Sequence, residues 1–277
     1  KALDKIKQSF QKRDVCLLHG VTSSGKTELY IKLIQDTLKE GKQVLYLLPE
    51  IALTTQIVRR LKRYFGDKVG VTHSYLSNAQ RVEVWKAVKQ NDINSDSIKY
   101  PIILGARSSV FLPFDNLGLI IVDEEHDASF KQQHPAPRYH ARDAAIYLAT
   151  LHGSKVLLGS ATPSLESYYN AQKSKYSLVE MHDRFEGIAL PEIKVVDIRK
   201  SYLKKEMKFH FSVQMLQAIQ SNLDEKKQVI LFKNRRGYSP VLSCTTCSYT
   251  PNCTQCDVSL TYHKWDKKLK CHYCGYS

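Results

Sequence analysis

The sequence predicts an α/β protein whose main domain is a parallel β-sheet covered by helices on both faces. Two observations predict this class. Continuous apolar runs recur between residues 15 and 159, and helical stretches separate several of them. Strands that are buried on both faces consist of such uninterrupted runs. With 277 residues, of which 43% are hydrophobic, the chain can build one or two domains and is not disordered.

The same patterns predict the individual elements. Helices are expected over residues 1–14, from Thr27 to about Glu40, where Gly41 ends the pattern, and over residues 53–65, which form a basic amphipathic helix. Strands are expected at residues 15–19, 44–48, 69–73, 102–105, 119–122 and 155–159. Because strands alternate with helices, the sheet should be parallel.

A change of composition near residue 185 predicts further domains. Beyond it, a helix at about residues 213–223 lies between strand-like runs at 194–197 and 228–232, which indicates the start of a second α/β domain. The last segment is rich in cysteines and turns. The predicted parts are residues 1–185, 186–243 and 244–277.

The charge of the chain indicates the class of partner. Lys and Arg number 41 against 27 Asp and Glu, which gives a net charge of +14. Such an excess favours nucleic acid over a membrane as the partner, because clustered cations displace counterions from phosphates; a merely soluble basic protein is the alternative. No apolar run reaches the length of about 18 residues that a membrane span needs. Residues 1–7 carry charges where a signal peptide would carry an apolar core, so no signal peptide is expected there. We therefore expect a cytoplasmic protein and, because the first residue is Lys1 and not Met, a fragment of a longer one.

A phosphate-binding loop is predicted where the first strand meets the next helix. The segment from Gly20 to Thr27 fits the pattern GxxxxGK(S/T) in the strand–loop–helix context that the motif requires. Its backbone N–H groups would surround the β-phosphate, Lys26 would contact the β- and γ-phosphates, and the Thr27 hydroxyl would bind Mg²⁺. The expected nucleotide-binding residues are Gly20, Val21, Thr22, Ser23, Ser24, Gly25, Lys26, Thr27 and Asp123.

An acidic pair at the end of the run 119–122 complements this loop. Asp123 would hold Mg²⁺ through water, and Glu124 would orient and deprotonate the attacking water. Acids that merely favour a helix dipole are the alternative. Together with the loop, the pair predicts an enzyme that hydrolyses a nucleoside triphosphate with Mg²⁺, with Lys26, Asp123 and Glu124 as its catalytic residues.

Longer strings resemble a known family. The form Asp-Glu-x-His, which ends at His126, is similar to that of superfamily 2 helicases, and residues 159–163 resemble their motif that links the γ-phosphate site to the bound strand. Within that superfamily the chain resembles the PriA family of bacterial replication-restart helicases (primosomal protein N′), from about residue 15 to residue 274. The strings that carry the resemblance are residues 48–54, 105–111, 123–127, 138–143 and 234–238 and the cysteine array.

The resemblance implies two RecA-like lobes, of which the second is incomplete, and an activity. The activity is that of an ATP-dependent DNA helicase that moves 3′ to 5′, acts at stalled or abandoned replication forks, and promotes primosome assembly and replication restart. The partners implied are single-stranded and forked DNA, single-strand DNA-binding protein and other primosome proteins. We expect a nucleoid-associated monomer.

The same resemblance implies that an aromatic-rich loop at residues 130–140 senses DNA and couples its binding to ATP hydrolysis. The residue types agree, because aromatic faces stack on bases and cations bind phosphates; an ordinary polar surface loop is the alternative. The residues expected to bind DNA or to couple it to hydrolysis are Arg107, Phe130, Arg138, Tyr139, His140 and Arg142.

Cysteines near the C-terminus indicate zinc. Two C-x-x-C pairs, Cys253/Cys256 and Cys271/Cys274, are separated by fourteen residues. This spacing suits a closed tetrahedral Zn²⁺ site, which is structural because no open position remains. Disulfides are the alternative. The resemblance implies two zinc ions per full-length chain, with the first pair completed beyond residue 277, so that one complete site is expected here. The expected metal ligands are Cys244, Cys247, Cys253, Cys256, Cys271 and Cys274.

Three other classes of protein remain alternatives. Another superfamily 2 translocase, such as a restriction motor subunit, would share the ATPase motifs but would not need the cysteine pairs. A zinc-ribbon nucleic-acid-binding module with a vestigial ATPase is disfavoured by the intact phosphate loop and acidic pair. A nucleoside kinase is disfavoured because no lid-like arginine cluster accompanies residues 159–163. Because the family's second-lobe arginine motif is missing, we expect the isolated chain to hydrolyse ATP poorly.

Overall fold

The computed structural model describes residues 1–49, 55–73, 76–89, 100–187, 191–232, 242–244, 246–247, 249–254, 259–272 and 275–277. The chain divides into two compact units, Lys1–Pro191 and Glu192–Ser277. The division lies close to the change of composition at residue 185, and the three-part domain assignment stays a prediction.

The first unit is built on a seven-stranded sheet with the order β3-β4-β2-β5-β6-β1-β7. Every strand pair in it is parallel. The strands are β1 (Val15–Gly20), β2 (Gln43–Leu47), β3 (Val69–Thr72), β4 (Ile102–Gly105), β5 (Leu117–Asp123), β6 (Lys155–Ser160) and β7 (Ser177–Met181). The predicted α/β class and all the strands expected within residues 15–159 are confirmed.

Helices cover both faces of this sheet. They are α1 (Ala2–Lys12), α2 (Lys26–Lys39), α3 (Thr55–Phe65), α4 (Asn78–Lys89), α5 (Ala141–His152) and α6 (Leu165–Gln172). Successive residues of β5 point to opposite faces, so that Ile120 and Val122 join one apolar cluster while Ile121 joins the other. The two clusters explain why the central strands are apolar without interruption.

Strand register brings the predicted motifs to one edge of the sheet. Asp123 at the end of β5 pairs with Gly159 on β6, and Ser160 pairs with His19 on β1. The carboxyl ends of all three strands therefore lie side by side, and ligands of open parallel sheets bind at such an edge.

The second unit contains α7 (Ile198–Leu203), α8 (Val213–Asp224) and an antiparallel hairpin of β8 (Thr261–His263) and β9 (Lys268–Lys270). The predicted helix near residues 213–223 is confirmed. The strands predicted at 194–197 and 228–232 are wrong, since both runs are irregular, and Val195 and Ile230 are more than nine-tenths exposed. A strand needs a neighbour to satisfy its backbone, and neither run has one among the described residues.

Among the described residues, no helix is long and apolar enough to cross a membrane.

Candidate nucleotide and nucleic-acid sites

The phosphate loop connects β1 to α2 with the backbone that its sequence predicts. Gly25 stands at the N-cap of α2 with φ at 88°, a left-handed conformation that glycine adopts without strain. At the other end of the loop, a Cβ atom on Gly20 would lie 2.9 Å from Ser24 Oγ. The two glycines therefore allow the chain to fold back closely on itself at the N-terminus of a helix, where backbone N–H groups favour an anion.

Polar groups converge inside this loop. The Lys26 ammonium donates to the carbonyl oxygens of Gly20, at 2.6 Å, and Val21, at 3.3 Å. Ser24 is 9% exposed, and its buried hydroxyl has no hydrogen-bond partner among the described residues. An ammonium, an unsatisfied hydroxyl and a helix N-terminus form a donor set that fits the oxygens of a triphosphate.

Two buried tyrosines hold the carboxylate of Asp123. The Tyr30 hydroxyl donates to Oδ1 at 2.9 Å, and the Tyr46 hydroxyl donates to Oδ2 at 3.1 Å. Oδ1 also accepts from the Glu124 backbone N–H at 3.2 Å. Burial raises the pKa of Asp123, whereas the hydrogen bond from Tyr30 opposes that rise. The sequence patterns identified the aspartate but missed both tyrosines, because tyrosine in an apolar run reads as an ordinary core residue.

His126 links the acidic motif to the strand end of β6. Its Nδ1 lies 2.8 Å from Ser160 Oγ, and its Nε2 lies 3.4 Å from Thr162 Oγ1. A carboxylate oxygen of Glu124 lies 3.7 Å from the same Nδ1. The structure thus places the two predicted motifs in direct side-chain contact.

Glu125, the third acidic residue of the motif, is fully buried and sits in a hydrogen-bonded network. Its carboxylate accepts from Arg142 Nη1 at 3.1 Å, from the Ser164 backbone N–H at 2.7 Å and from Ser167 Oγ at 2.7 Å. Arg142 is only 8% exposed, so its guanidinium is engaged inside the unit and is not available to a DNA phosphate. Of the two roles predicted for Arg142, only coupling is compatible with this placement.

The aromatic-rich loop is partly internal. Phe130 is fully buried in the core, so the stacking on a base that was expected of it does not fit its position. Tyr139 is half-buried and packs edge-to-face on Phe111, with ring centroids 4.8 Å apart. His140 forms the N-cap of α5, and burial lowers its pKa. Arg138 is exposed and is the side chain of this loop that best fits a phosphate contact.

Arg107 connects the segment after β4 to the base of the aromatic-rich loop. Its Nη1 donates to the carbonyl oxygens of Ser129, at 3.3 Å, and Lys131, at 3.4 Å. Lys131 in turn donates to the Arg138 carbonyl at 2.9 Å. A DNA strand bound along this edge would therefore contact two segments, the one after β4 and the aromatic-rich loop, that hydrogen bonds already join.

Residues beyond β7 contact the phosphate loop, which the sequence patterns did not predict. The Phe185 backbone N–H donates to the Ser23 carbonyl at 2.9 Å, and Arg184 donates to the Thr22 hydroxyl at 3.2 Å. The segment that follows β7 thus passes directly beside the phosphate loop. Nothing in the local sequence signals these contacts, because they depend on β7 lying next to β1.

The cysteine-rich segment has a small core of its own. Cys253 and Cys271 are buried with Leu260, while Cys244 and Cys247 are exposed. Hydrogen bonding to the Cys247 backbone lowers the pKa of the Cys244 thiol to about 7. Cys256 and Cys274, also expected to bind zinc, lie outside the described residues. Two buried thiols beside a β-hairpin would supply two of the four ligands that a structural Zn²⁺ site needs, and the described residues bring together no group of three or more His, Cys, Asp or Glu that could hold a metal ion. None of the five described cysteines, in this segment and in β1, forms a disulfide.

The fold and the site together define a P-loop nucleoside triphosphatase domain, because a phosphate loop and an Asp-Glu pair meet at one edge of a parallel sheet. The chain belongs to the DEAD/DEAH box helicase family, whose family model matches residues 1–171. A second family model, the PriA DNA helicase Cys-rich region domain, matches residues 253–277.

Curated relatives agree with both matches. The chain is 44% identical over 262 residues to replication restart protein PriA of Bacillus subtilis, a match that covers 95% of this chain and 31% of the relative. It is 45% identical to the protein of that name from Rickettsia felis, covering 94% and 39%, and 42% identical to that from Chlamydia muridarum, covering 99% and 36%. The chain therefore spans about a third of the length of these relatives. A solved structure of RecG bound to a three-way DNA junction aligns with a TM-score of 0.47 and 17% identity, covering 68% of this chain and 24% of that one.

Proposed function

We propose that this chain carries the first ATPase lobe of a DNA helicase that acts in replication restart. The observation that carries the proposal is the convergence of Lys26, Asp123 and His126 at one sheet edge, in a chain that also matches the PriA Cys-rich region. A restriction motor subunit would share the first feature but would have no need of the second.

In this function the chain's own residues bind and orient the nucleotide. Loop N–H groups and Lys26 would hold the β- and γ-phosphates, and Thr27 and Asp123 would hold Mg²⁺, which neutralises charge that develops on the transferred phosphoryl group. Asp123 is fixed by its tyrosine partners before any ligand arrives. Glu124 stands next to it and would accept the proton of the attacking water.

Coupling to DNA would use the contacts described above. A single strand held near Arg107 and Arg138 would act on the aromatic-rich loop, which continues into α5 and therefore into Arg142. Arg142 binds Glu125, the neighbour of Glu124. His126 supplies a parallel link from Glu124 to Ser160. The whole protein would move 3′ to 5′ on forked DNA, together with single-strand DNA-binding protein and other primosome proteins, as a monomer at the bacterial nucleoid.

The cysteine-rich segment would hold structural zinc. Cys253 and Cys271 would supply two ligands and Cys256 and Cys274 the other two, while Cys244 and Cys247 would belong to a second zinc site completed elsewhere in the full-length protein. The positive net charge of the chain suits a surface that binds DNA phosphates.

Binding of a fluorescent ATP analogue in the presence of Mg²⁺ tests the proposal on this chain. We expect saturable binding that Lys26→Ala abolishes and that Lys32→Ala, on the exposed face of the same helix, leaves unchanged. Hydrolysis should be slow, since an arginine supplied from a second lobe contributes roughly 10³–10⁵ in rate where it has been measured. Equal binding by the Lys26→Ala and unchanged chains would refute the proposed nucleotide site.

A further inference from the structure

A cavity of about 410 Å³ opens at the same sheet edge, beside the segment that follows β4. It lies within the range of roughly 300–1,000 Å³ that is typical of small-ligand sites. Helix α4, the ends of β3 and β4, and Gln132 of the aromatic-rich loop enclose it. Six of the residues that line it determine what it could bind: Arg81, Trp85, Arg107, Ser109, Phe111 and Gln132.

Two large aromatic side chains line this cavity and remain exposed. Trp85 on α4 is 44% exposed, and Phe111 is 60% exposed. Phe111 is held in place by its edge-to-face contact with Tyr139, and the Lys89 ammonium lies 5.4 Å from the Trp85 ring centroid. Exposed aromatic faces beside cations are the combination with which proteins hold unstacked bases.

The polar lining fits the same kind of ligand. Ser109 is 2% exposed, and its buried hydroxyl has no hydrogen-bond partner among the described residues. Arg81 and Arg107 bring positive charge to the lining. The unsatisfied hydroxyl can hydrogen-bond to a heteroatom of a ligand, and the two guanidinium groups can bind a phosphate. The lining therefore suits a ligand that carries both.

We propose that this cavity binds one unstacked nucleobase of a DNA single strand, which stacks on Trp85 and Phe111 while Arg81 and Arg107 neutralise the adjoining phosphate. The inference rests on the proposed binding of single-stranded DNA and names the place where the strand is held. A base inside a duplex is stacked on its neighbours and cannot enter, so the site selects single strands. Gln132 lines the cavity and Tyr139 contacts Phe111, and both belong to the aromatic-rich loop. A base bound in the cavity would therefore also affect the conformation of that loop.

Tryptophan fluorescence tests the inference directly, because the chain has two tryptophans. Trp265 is fully exposed in the second unit, and Trp265→Phe leaves Trp85 as the sole reporter. We expect a thymidine oligonucleotide to quench the Trp85 emission, and an abasic strand of the same length, which keeps the phosphates, to leave it unchanged. Equal quenching by the abasic strand would show that only phosphates bind and would overturn the inference.

Affinity measured by the anisotropy of a labelled thymidine oligonucleotide provides the second test. Phe111→Ala should weaken binding roughly five- to hundredfold, the effect of losing one stacked base. Tyr169→Ala is the matched control, since Tyr169 is an aromatic side chain that is 58% exposed, close to the 60% of Phe111, but lies outside the cavity. Thermal unfolding would show that both variants remain folded. Binding that Phe111→Ala leaves intact would overturn the inference alone, whereas no binding by the unchanged chain would overturn the proposed DNA binding as well.

Discussion

The hydroxyl of Tyr30 donates a 2.9 Å hydrogen bond to Oδ1 of Asp123, which lies 93 positions away in the chain. Tyr46 occupies the other carboxylate oxygen, and the two tyrosine rings meet edge-to-face with centroids 5.6 Å apart. Both tyrosines are fully buried. The carboxylate proposed to hold Mg²⁺ is therefore fixed by a rigid pair of donors that come from α2 and β2.

Tyr30→Phe should weaken the Mg²⁺-dependent binding of nucleotide without loosening the core. The variant keeps the ring and removes one hydrogen bond to a charged acceptor, which is typically worth about 1.5–3 kcal/mol. We expect the Mg²⁺ concentration at half-maximal binding of a fluorescent ATP analogue to rise about tenfold or more. Tyr176→Phe, at a buried tyrosine in the cluster on the other face of the sheet, is the control. An unchanged Mg²⁺ midpoint in Tyr30→Phe would contradict a positioning role.

Gly159→Ala should disturb the hydrogen bond between Tyr30 and Asp123 by a steric clash. A Cβ atom at residue 159 would overlap the Tyr30 hydroxyl oxygen and lie 3.3 Å from Asp123 Oδ1. We expect a raised Mg²⁺ midpoint, as in Tyr30→Phe. In the Tyr30→Phe background the added methyl group should have much less effect, because the overlapping oxygen is gone. A double-mutant cycle measures this coupling, and additive effects of the two substitutions would show that the overlap does not matter.

Arg142→Ala should strongly destabilise the first unit. The substitution leaves the Glu125 carboxylate buried without its cation, and breaking a buried ion pair in this way costs about 3–5 kcal/mol. Urea unfolding followed by circular dichroism would measure the change in the free energy of unfolding. Arg138→Ala is a suitable control, because Arg138 is exposed and surface substitutions usually change stability by less than about 0.5 kcal/mol. If both variants unfolded alike, the buried pair would not be a structural element of the unit.

The sequence patterns predicted the centre of the sheet well and its margin poorly. Interior strands such as β5 are buried on both faces, so their apolar runs are uninterrupted. Strand β7 was missed because it lies at the sheet edge, where Glu180 is exposed and breaks the run. The runs at 194–197 and 228–232 look like strands, but an apolar run becomes a strand only where a partner strand pairs with it.

The candidate site was predictable where backbone geometry imposes residue types. Gly25 and Lys26 fall in this class, because only certain residues suit a phosphate loop. Side-chain direction was not predictable: Phe130 and Arg142 have the residue types of a DNA-binding loop but point into the unit. The contact between Tyr30 and Asp123 depends on strand register and on the absence of a side chain at Gly159, neither of which a local pattern contains.

Elemental analysis of the purified chain, with no metal added, should find one zinc ion per chain. In the proposed site Cys253, Cys256, Cys271 and Cys274 would supply one complete set of four thiolates, whereas Cys244 and Cys247 alone would be too few for a structural site. Cys253→Ser should therefore abolish zinc binding and melt the hairpin of β8 and β9, since metal binding supplies the folding free energy of such small units. Cys247→Ser is the matched control and should retain the ion. Two zinc ions per chain, or equal loss in both variants, would mean that the first cysteine pair takes part in a site within this chain.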